Sequence, residues 1–331
     1  MKPVRTLFTL SVLAATAWSG CSRSSLPEEV PVLSRLSVEG TQLVNEAGEP
    51  VVLRGVSYGW HNWWPRFYNK ESVKWLKDDW GVDVVRAAIG IHLEEPELTY
   101  NEEPERAVKI ISKVIDGAIE HGVYVIIDFH SHELELELAK TFFRQMAEQY
   151  GQYPNIIYEI FNEPVHQSWE EVKAYSEEVI AVIREIDPHN VILVGSPHWD
   201  QDLHLVADDP ITGAASHNIM YTLHYYAATH GDYLRERGDY ALSKGIPLFI
   251  SESAGMEASG DGPIDLEAWK VWRDWAEDRK ISWITWSIAD KNETCSFLLP
   301  SAASKGGWSA EDMKESGRLT RQLLREKAGL E

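Results

Sequence analysis

Residues 124–164 read YVIIDFHSHELELELAKTFFRQMAEQYGQYPNIIYEIFNEP. Two apolar runs, Tyr124–Phe129 and Ile156–Phe161, bracket Glu135–Tyr150, whose apolar residues recur at helical spacing. Tyr150-Gly151 punctuates the end of that helix. Near-continuous apolar strands are buried on both faces, and strand, helix, strand in that order builds a parallel sheet covered by helices. Both strands close on polar residues, Asp128-Phe-His130-Ser-His132 and Asn162-Glu163-Pro164.

The same alternation runs outward in both directions. Further strands are expected at Val51–Val56, Val82–Ala88, Val191–Val194, Ile219–His224, Leu248–Ser251 and Trp283–Ile288. Helical patterns lie between or beside them at Glu71–Asp79, Glu105–His121, Trp169–Ile186, Asp202–Ala207, Tyr233–Lys244, Leu266–Lys280 and Ala310–Lys327. Eight such units in about 280 residues fit a closed (β/α)8 (TIM) barrel. An open doubly wound sheet is the alternative, but no Gly-rich turn follows the first strand. A small hairpin precedes the barrel, with Glu46-Ala-Gly48 as its turn. Residues 35–331 therefore read as one catalytic domain.

The chain has 331 residues, with 52 acidic against 31 basic side chains and a net charge of −21. No basic stripe exists for a nucleic-acid backbone or an anionic lipid surface. Met1–Gly20 has Lys2 and Arg5, then an apolar run from Leu7 to Trp18, and reads as an export signal. Ser19-Gly20-Cys21 resembles a bacterial lipobox, which makes Cys21 a lipidation site; residues 21–34 then hold that cysteine and a polar tether. The expectation is a bacterial protein anchored at the cell envelope, or else secreted, touching membrane only through that lipid and acting as a monomer. Of 14 Trp, Trp75, Trp80, Trp272 and Trp275 sit on helical faces and read as core.

Chemistry in this fold sits where the strands end. Glu163 closes the fourth strand and Glu252 the seventh, and two such carboxylates facing each other are what flanks a scissile glycosidic bond. In retaining hydrolysis they stand about 5–5.5 Å apart, one as acid/base and one as nucleophile. Arg86 and Tyr226 are placed to bond the nucleophile, Asn162 to bond a sugar 2-hydroxyl, and His130 and His224 to bond hydroxyls or tune the acid. Trp63, Trp64, Trp199 and Trp286 offer flat faces for pyranose rings. A rival reading takes Asp128, His130 and His132 as metal ligands, joined by His224 and Glu252. A second rival is a sugar-binding lipoprotein without catalysis.

Val82-Asp-Val-Val-Arg-Ala-Ala, Tyr124-Val-Ile-Ile-Asp-Phe-His, Ile157-Tyr-Glu-Ile-Phe-Asn-Glu-Pro, His224-Tyr-Tyr-Ala-Ala-Thr-His-Gly and Ile281-Ser-Trp-Ile-Thr-Trp-Ser-Ile-Ala-Asp-Lys-Asn-Glu together resemble glycoside hydrolase family 5, above all its bacterial endo-β-1,4-glucanases. The resemblance spans Leu43 to Leu324. It implies Glu163 as acid/base, Glu252 as nucleophile, and Arg86, His130, Asn162, His224, Tyr226 and Trp286 around them. It implies Lys291 and Glu293 on the glycone side, Trp63 and Trp199 as platforms either side of the cleavage point, and no metal or cofactor. The implied partner is a β-glucan polysaccharide or oligosaccharide, with mixed-linkage glucan or glucomannan as alternatives to cellulose. Four positions depart from the family pattern: Ser253-Ala254 stands for Trp-Gly, Gly59 for a His, Gly90 for a Tyr, and the loop after His130 is short and acidic (Glu133-Leu-Glu-Leu-Glu137).

Overall fold

A computed structural model describes residues 1, 33–93 and 97–330. The expected signal, Cys21 and all but the end of the tether lie outside the described residues, Met1 apart. A two-stranded antiparallel ribbon, β1 (Ser37–Glu39) and β2 (Gln42–Val44), precedes eight parallel strands. These are β3 (Arg54–Tyr58), β4 (Val84–Gly90), β5 (Tyr124–His130), β6 (Ile156–Glu159), β7 (Val191–Val194), β8 (Ile219–Tyr226), β9 (Leu248–Ala254) and β10 (Trp283–Ile288). They close in chain order, with β10 pairing β3, so the barrel is complete.

The covering helices are α1 (Lys70–Trp75), α2 (Pro104–His121), α3 (Leu136–Tyr150), α4 (Trp169–Arg184), α5 (Pro197–Asp200), α6 (Leu203–Asp208), α7 (Asp232–Ser243), α8 (Leu266–Asp278) and α9 (Glu315–Ala328). Local chemistry explains their ends. Ser168 and Glu171 form a reciprocal capping box on α4. Gly122 closes α2 at φ 64°, a left-handed conformation that glycine adopts without strain. No helix among the described residues is long and apolar enough to cross a membrane.

Several element ends differ from expectation by two or three residues, among them the fourth strand, which stops at Glu159 rather than Phe161; three differences have a visible cause. The ribbon turns at Gly40-Thr41; Glu46–Gly48 makes the next turn, which brings Pro50 beside Val44. The first barrel strand begins at Arg54 rather than Val51, because Val51 N–H bonds Leu43 and Leu53 N–H bonds the Ser282 hydroxyl, tying 51–53 to the base. The last helix begins at Glu315, since Met313 is held opposite Leu298.

Side-chain parity along the strands sorts the interior into two layers. Val125, Ile127 and Phe129 of β5 point outward into the core under the helices. Tyr124 and Ile126 point inward, into a base layer with Leu36, Leu43, Leu53, Val84, Ile157, Phe249 and Ile284. Further along the same inward rows the residues turn polar: Val84 is followed by Arg86, Ile126 by Asp128, and Ile157 by Glu159. The barrel is thus apolar at its base and ionic toward its mouth.

Candidate active site

Arg86 is the centre of the ionic layer and is wholly buried. Its Nε donates to Glu159 Oε2 at 2.6 Å, Nη1 to Glu252 Oε2 at 3.0 Å, and Nη2 to Asn162 Oδ1 at 2.7 Å, with Asp128 Oδ2 3.0 Å from Nη2. Burial works against the guanidinium charge, but Asp128, Glu159 and Glu252 outweigh it. Asn162 Nδ2 is left buried with no protein partner.

Glu252, at the end of β9, accepts from the Tyr226 hydroxyl at 2.7 Å and from Arg86 at 3.0 Å. Burial and the facing Glu163 carboxylate raise its pKa, while His224, Arg86 and Tyr226 act to lower it. Glu163, four residues past β6, is held differently. Its Oε1 lies 2.9 Å from His224 Nδ1 and its Oε2 3.4 Å from His132 Nε2. Burial pushes Glu163 up, but the two imidazoles outweigh it and hold the carboxyl at about 2 while both are charged.

His224 is a donor on both sides. The Ser251 hydroxyl gives its one proton to Glu159 Oε1, at 2.5 Å, so it accepts from His224 Nε2 at 2.9 Å. Asp200 Oδ2 lies 3.3 Å from the same nitrogen. Burial disfavours an imidazolium here, but Asp200, Glu159 and Glu163 overcome it and raise the His224 pKa. His130 is the opposite case. Its Nδ1 pairs with Asp128 Oδ2 at 2.7 Å, and burial beside Arg86 keeps the ring neutral.

Carboxylate oxygens of Glu163 and Glu252 and a ring nitrogen of His224 lie within 4.8 Å of one another. That trio is also the group best placed to hold a metal ion among the described residues. The Asp128, His130 and His132 set of the rival metal reading does not converge. Asp128 and His130 bond each other beside Arg86, and His132 turns to Glu163.

The aromatic residues divide between two walls. Trp199 is 38% exposed and lines a cavity of about 540 Å³ with His198, Gln201, Tyr233 and both glutamates. Trp63, 40% exposed, stacks on Trp60 at 4.6 Å and donates its indole N–H to Glu97. Trp64 meets Trp63 edge-on. Trp286 stacks on His130 at 5.3 Å and 14°. Lys291 and Glu293 form an ion pair at 2.5 Å, with buried Cys295 donating to Glu293 at 3.2 Å. Of the helical-face indoles, Trp80, Trp272 and Trp275 are buried and Trp75 is partly buried against the same core.

Four participants were not singled out as partners of the carboxylates from sequence. Glu159 and Ser251 lie inside apolar strands, and only the inward parity Glu159 shares with Ile157 marks it. Asp200 arrives through a left-handed turn: His198, Trp199 and Asp200 have φ of 59°, 55° and 59°. That turn sends Trp199 toward solvent and lets Asp200 accept from Ser196 N–H at 2.6 Å. From sequence His132 reads only as a candidate metal ligand.

The family model described as Cellulase (glycosyl hydrolase family 5) matches residues 44–292. Endoglucanase A of Evansella cellulosilytica is 41% identical over 295 residues, 86% of this chain and 58% of that protein. The chain spans about three fifths of the length of the first curated relatives it matches. A solved structure from Cytophaga hutchinsonii is 44% identical with a TM-score of 0.86, covering 89% of this chain and 95% of that one. A variant of the catalytic domain of a Thermobifida fusca endoglucanase, solved in complex with cellotetraose, is 33% identical with a TM-score of 0.82, covering 88% of this chain and 97% of that one. With eight parallel strands closed in order and a family match over most of the barrel, this chain belongs to glycosyl hydrolase family 5.

Proposed function

We propose that the chain is a retaining, endo-acting β-1,4-glucan hydrolase. The observation that carries this reading is the pair Glu163 and Glu252, with oxygens within 4.8 Å and unlike partners. Retaining enzymes hold the two carboxyls at about 5–5.5 Å and inverting ones at about 6.5–9.5 Å, with room for a water between. The partners divide the roles. Arg86 and Tyr226 suit a carboxylate that stays anionic until it attacks. The imidazoles on Glu163 keep its carboxyl ionised while they are charged, and each is a proton donor within reach of a group that must gain and lose a proton.

In the first step Glu163 gives its proton to the leaving glycosidic oxygen while Glu252 bonds the anomeric carbon. In the second, Glu163 takes a proton from water, whose oxygen displaces Glu252. Asn162 Nδ2, without a protein partner, is free to donate to the sugar 2-hydroxyl. Trp199 supplies a stacking face on the cavity wall, and Trp63, Trp286, Lys291 and Glu293 are proposed as further substrate contacts. Residues 1–20 are proposed as an export signal and Cys21 as the lipidated first residue of an envelope-anchored monomer, testable by mass spectrometry of the mature amino terminus.

The test is hydrolysis of carboxymethylcellulose, barley glucan, xyloglucan, xylan and glucomannan, with the anomeric form of the first product read by NMR. A fast viscosity drop on carboxymethylcellulose with β-anomeric product is expected. An α-anomer, or activity only on glycans without β-1,4-glucosyl linkages, overturns the reading. Activity is expected to survive dialysis against a strong chelator; loss restored by zinc or manganese favours the metal alternative.

A further inference from the structure

Glu163 has two imidazole partners, and the second, His132, is held where it is by an aromatic neighbour and by the loop that carries it. A Cβ at position 90 would lie 2.5 Å from Trp60 Cε3 and 2.8 Å from Asn62 Oδ1. Glycine at 90 therefore leaves the room that Trp60 occupies. Trp60 then lies parallel to the His132 ring, at 6.0 Å and 26°, and edge-on to His130 at 4.7 Å.

The short loop completes the arrangement. Glu163 N–H bonds Ser131 C=O at 3.2 Å, so the residue before His132 is tied to the backbone of Glu163 itself. The Ser131 hydroxyl bonds Glu133 C=O at 2.7 Å, and Gln167 reaches the Glu133 carboxylate at 2.7 Å. His132 and Glu163 are thus held on one rigid unit, Nε2 to Oε2 at 3.4 Å. His132 remains 39% exposed at its side chain, so a proton can reach it from solvent.

We propose that His132 is a positioning residue for the Glu163 proton: pinned by Trp60, its imidazole holds the proton that Glu163 must carry when the glycosidic oxygen leaves. The proposal rests on the glycosidase reading above. The charged groups around the pair have fixed commitments. On the far side of Glu163, His224 is locked between Glu159 and Asp200. Glu252 faces both from β9, held by Arg86 and Tyr226. Neutral His130 and His230 flank the pair, and Glu133 adds negative charge from the loop. Of the two imidazoles on Glu163, His132 is the one open to water and so the one that exchanges.

Burial lowers the His132 pKa, but Glu163, Glu252 and Glu133 reverse this and raise it. The pair therefore binds one proton up to a pH set by His132, and that joint titration becomes the alkaline limb of kcat/KM. Without the imidazole, the limb falls back to Glu163 alone, at lower pH.

Two measurements decide this. Histidine-selective NMR titration of the full chain, with His132 assigned by its loss in His132→Gln, is expected to show it titrating above the usual value of about 6.5. In Glu163→Gln that value should drop by about one unit, since coupling is reciprocal. An unchanged His132 titration between the two proteins overturns the proposal. In the pH profile on cellotetraose, His132→Gln is expected to move the alkaline limb down by about one unit with the acid limb unmoved, and Trp60→Ala to move it the same way by less. A stationary alkaline limb in a folded His132→Gln protein also overturns it. If the wild type cleaves no β-glucan the glycosidase reading fails separately, and the NMR titration still judges the pairing.

Discussion

Two arginines on neighbouring strands, one at each end of the barrel, illustrate what an ion can be used for. Arg54 begins β3 at the base and makes a fork to one carboxylate, both of its bonds to Glu277 being 2.7 Å long. The Trp283 indole donates to the same carboxylate at 2.9 Å. Lys327 Nζ lies 3.5 Å from the same carboxylate, so this anion is fully balanced by cations. Arg86 on β4 touches three carboxylates, Asp128, Glu159 and Glu252, at 3.0, 2.6 and 3.0 Å. Even with the His224 imidazolium 3.7 Å from Glu159, carboxylates outnumber cations here, and the remaining negative charge is left for protons or a ligand to balance. A carboxylate whose charge is fully balanced fixes structure; a ring with carboxylates in excess keeps groups poised to exchange protons.

The contrast is broken most severely at Glu252. Its replacement by Ala is expected to cut kcat/KM on cello-oligosaccharides by about 10⁴-fold or more. Because the ring has anions in excess, thermal unfolding should show stability unchanged or raised by up to about 1 kcal/mol. A Glu252→Ala protein that keeps near-wild-type activity would remove the basis of the proposed function. At the base, Phe249→Ala should do the reverse, costing about 3–5 kcal/mol in denaturant unfolding. Its kcat on cello-oligosaccharides should stay within about twofold, because Phe249 packs in the base layer.

Glu277 sharpens the comparison through pH. Burial pushes its carboxyl up, but Arg54 and Trp283 outweigh this and hold it at about 2. The folded pKa is thus depressed below the unfolded one, so the stabilisation is complete above the unfolded carboxylate range and is lost as pH falls from about 4.5 toward 2. Glu277→Gln should cost about 1–2 kcal/mol at neutral pH, and the gap to wild type should close in that acid window. A constant gap from pH 7 to pH 2 would show that Arg54 and Glu277 contribute through packing instead. The smallest effect belongs to Trp199→Ala, about 1 kcal/mol of stacking, read as a roughly fivefold rise in KM for cellotetraose.

What was legible in the sequence follows from the same division. Strand runs such as Tyr124–Phe129 announce a buried parallel sheet by composition alone, and Glu163 and Glu252 stand out because each ends an apolar run. Glu159 is as buried as Ile157 and gives no such sign. Its meaning depends on Arg86, 73 residues away, and on closure of the barrel. Asp200 depends on three consecutive left-handed residues, none of them glycine, for which no turn motif prepares the reader. His132 was visible as a histidine but not as a partner of Glu163, because the Trp60 ring beside it and the Ser131 bond to Glu163 N–H come together only in the folded chain. The first barrel strand starts later than its apolar run because Ser282 ties Leu53 elsewhere, a contact from 229 residues away.

The ribbon below the barrel has a consequence for the chemistry at the opposite end. Leu36 and Leu43 close the base over Leu53, Tyr124 and Phe249, and the Tyr124 hydroxyl is fastened to Ser34 C=O at 2.6 Å. Water therefore reaches the ionic ring from one side only. A sugar laid across the mouth removes that remaining side, and the local dielectric falls at the moment charge has to move between Glu163, the anomeric carbon and Glu252. By keeping solvent out from below, two short strands that touch no reacting atom let the substrate itself complete the dry environment in which its bond is broken.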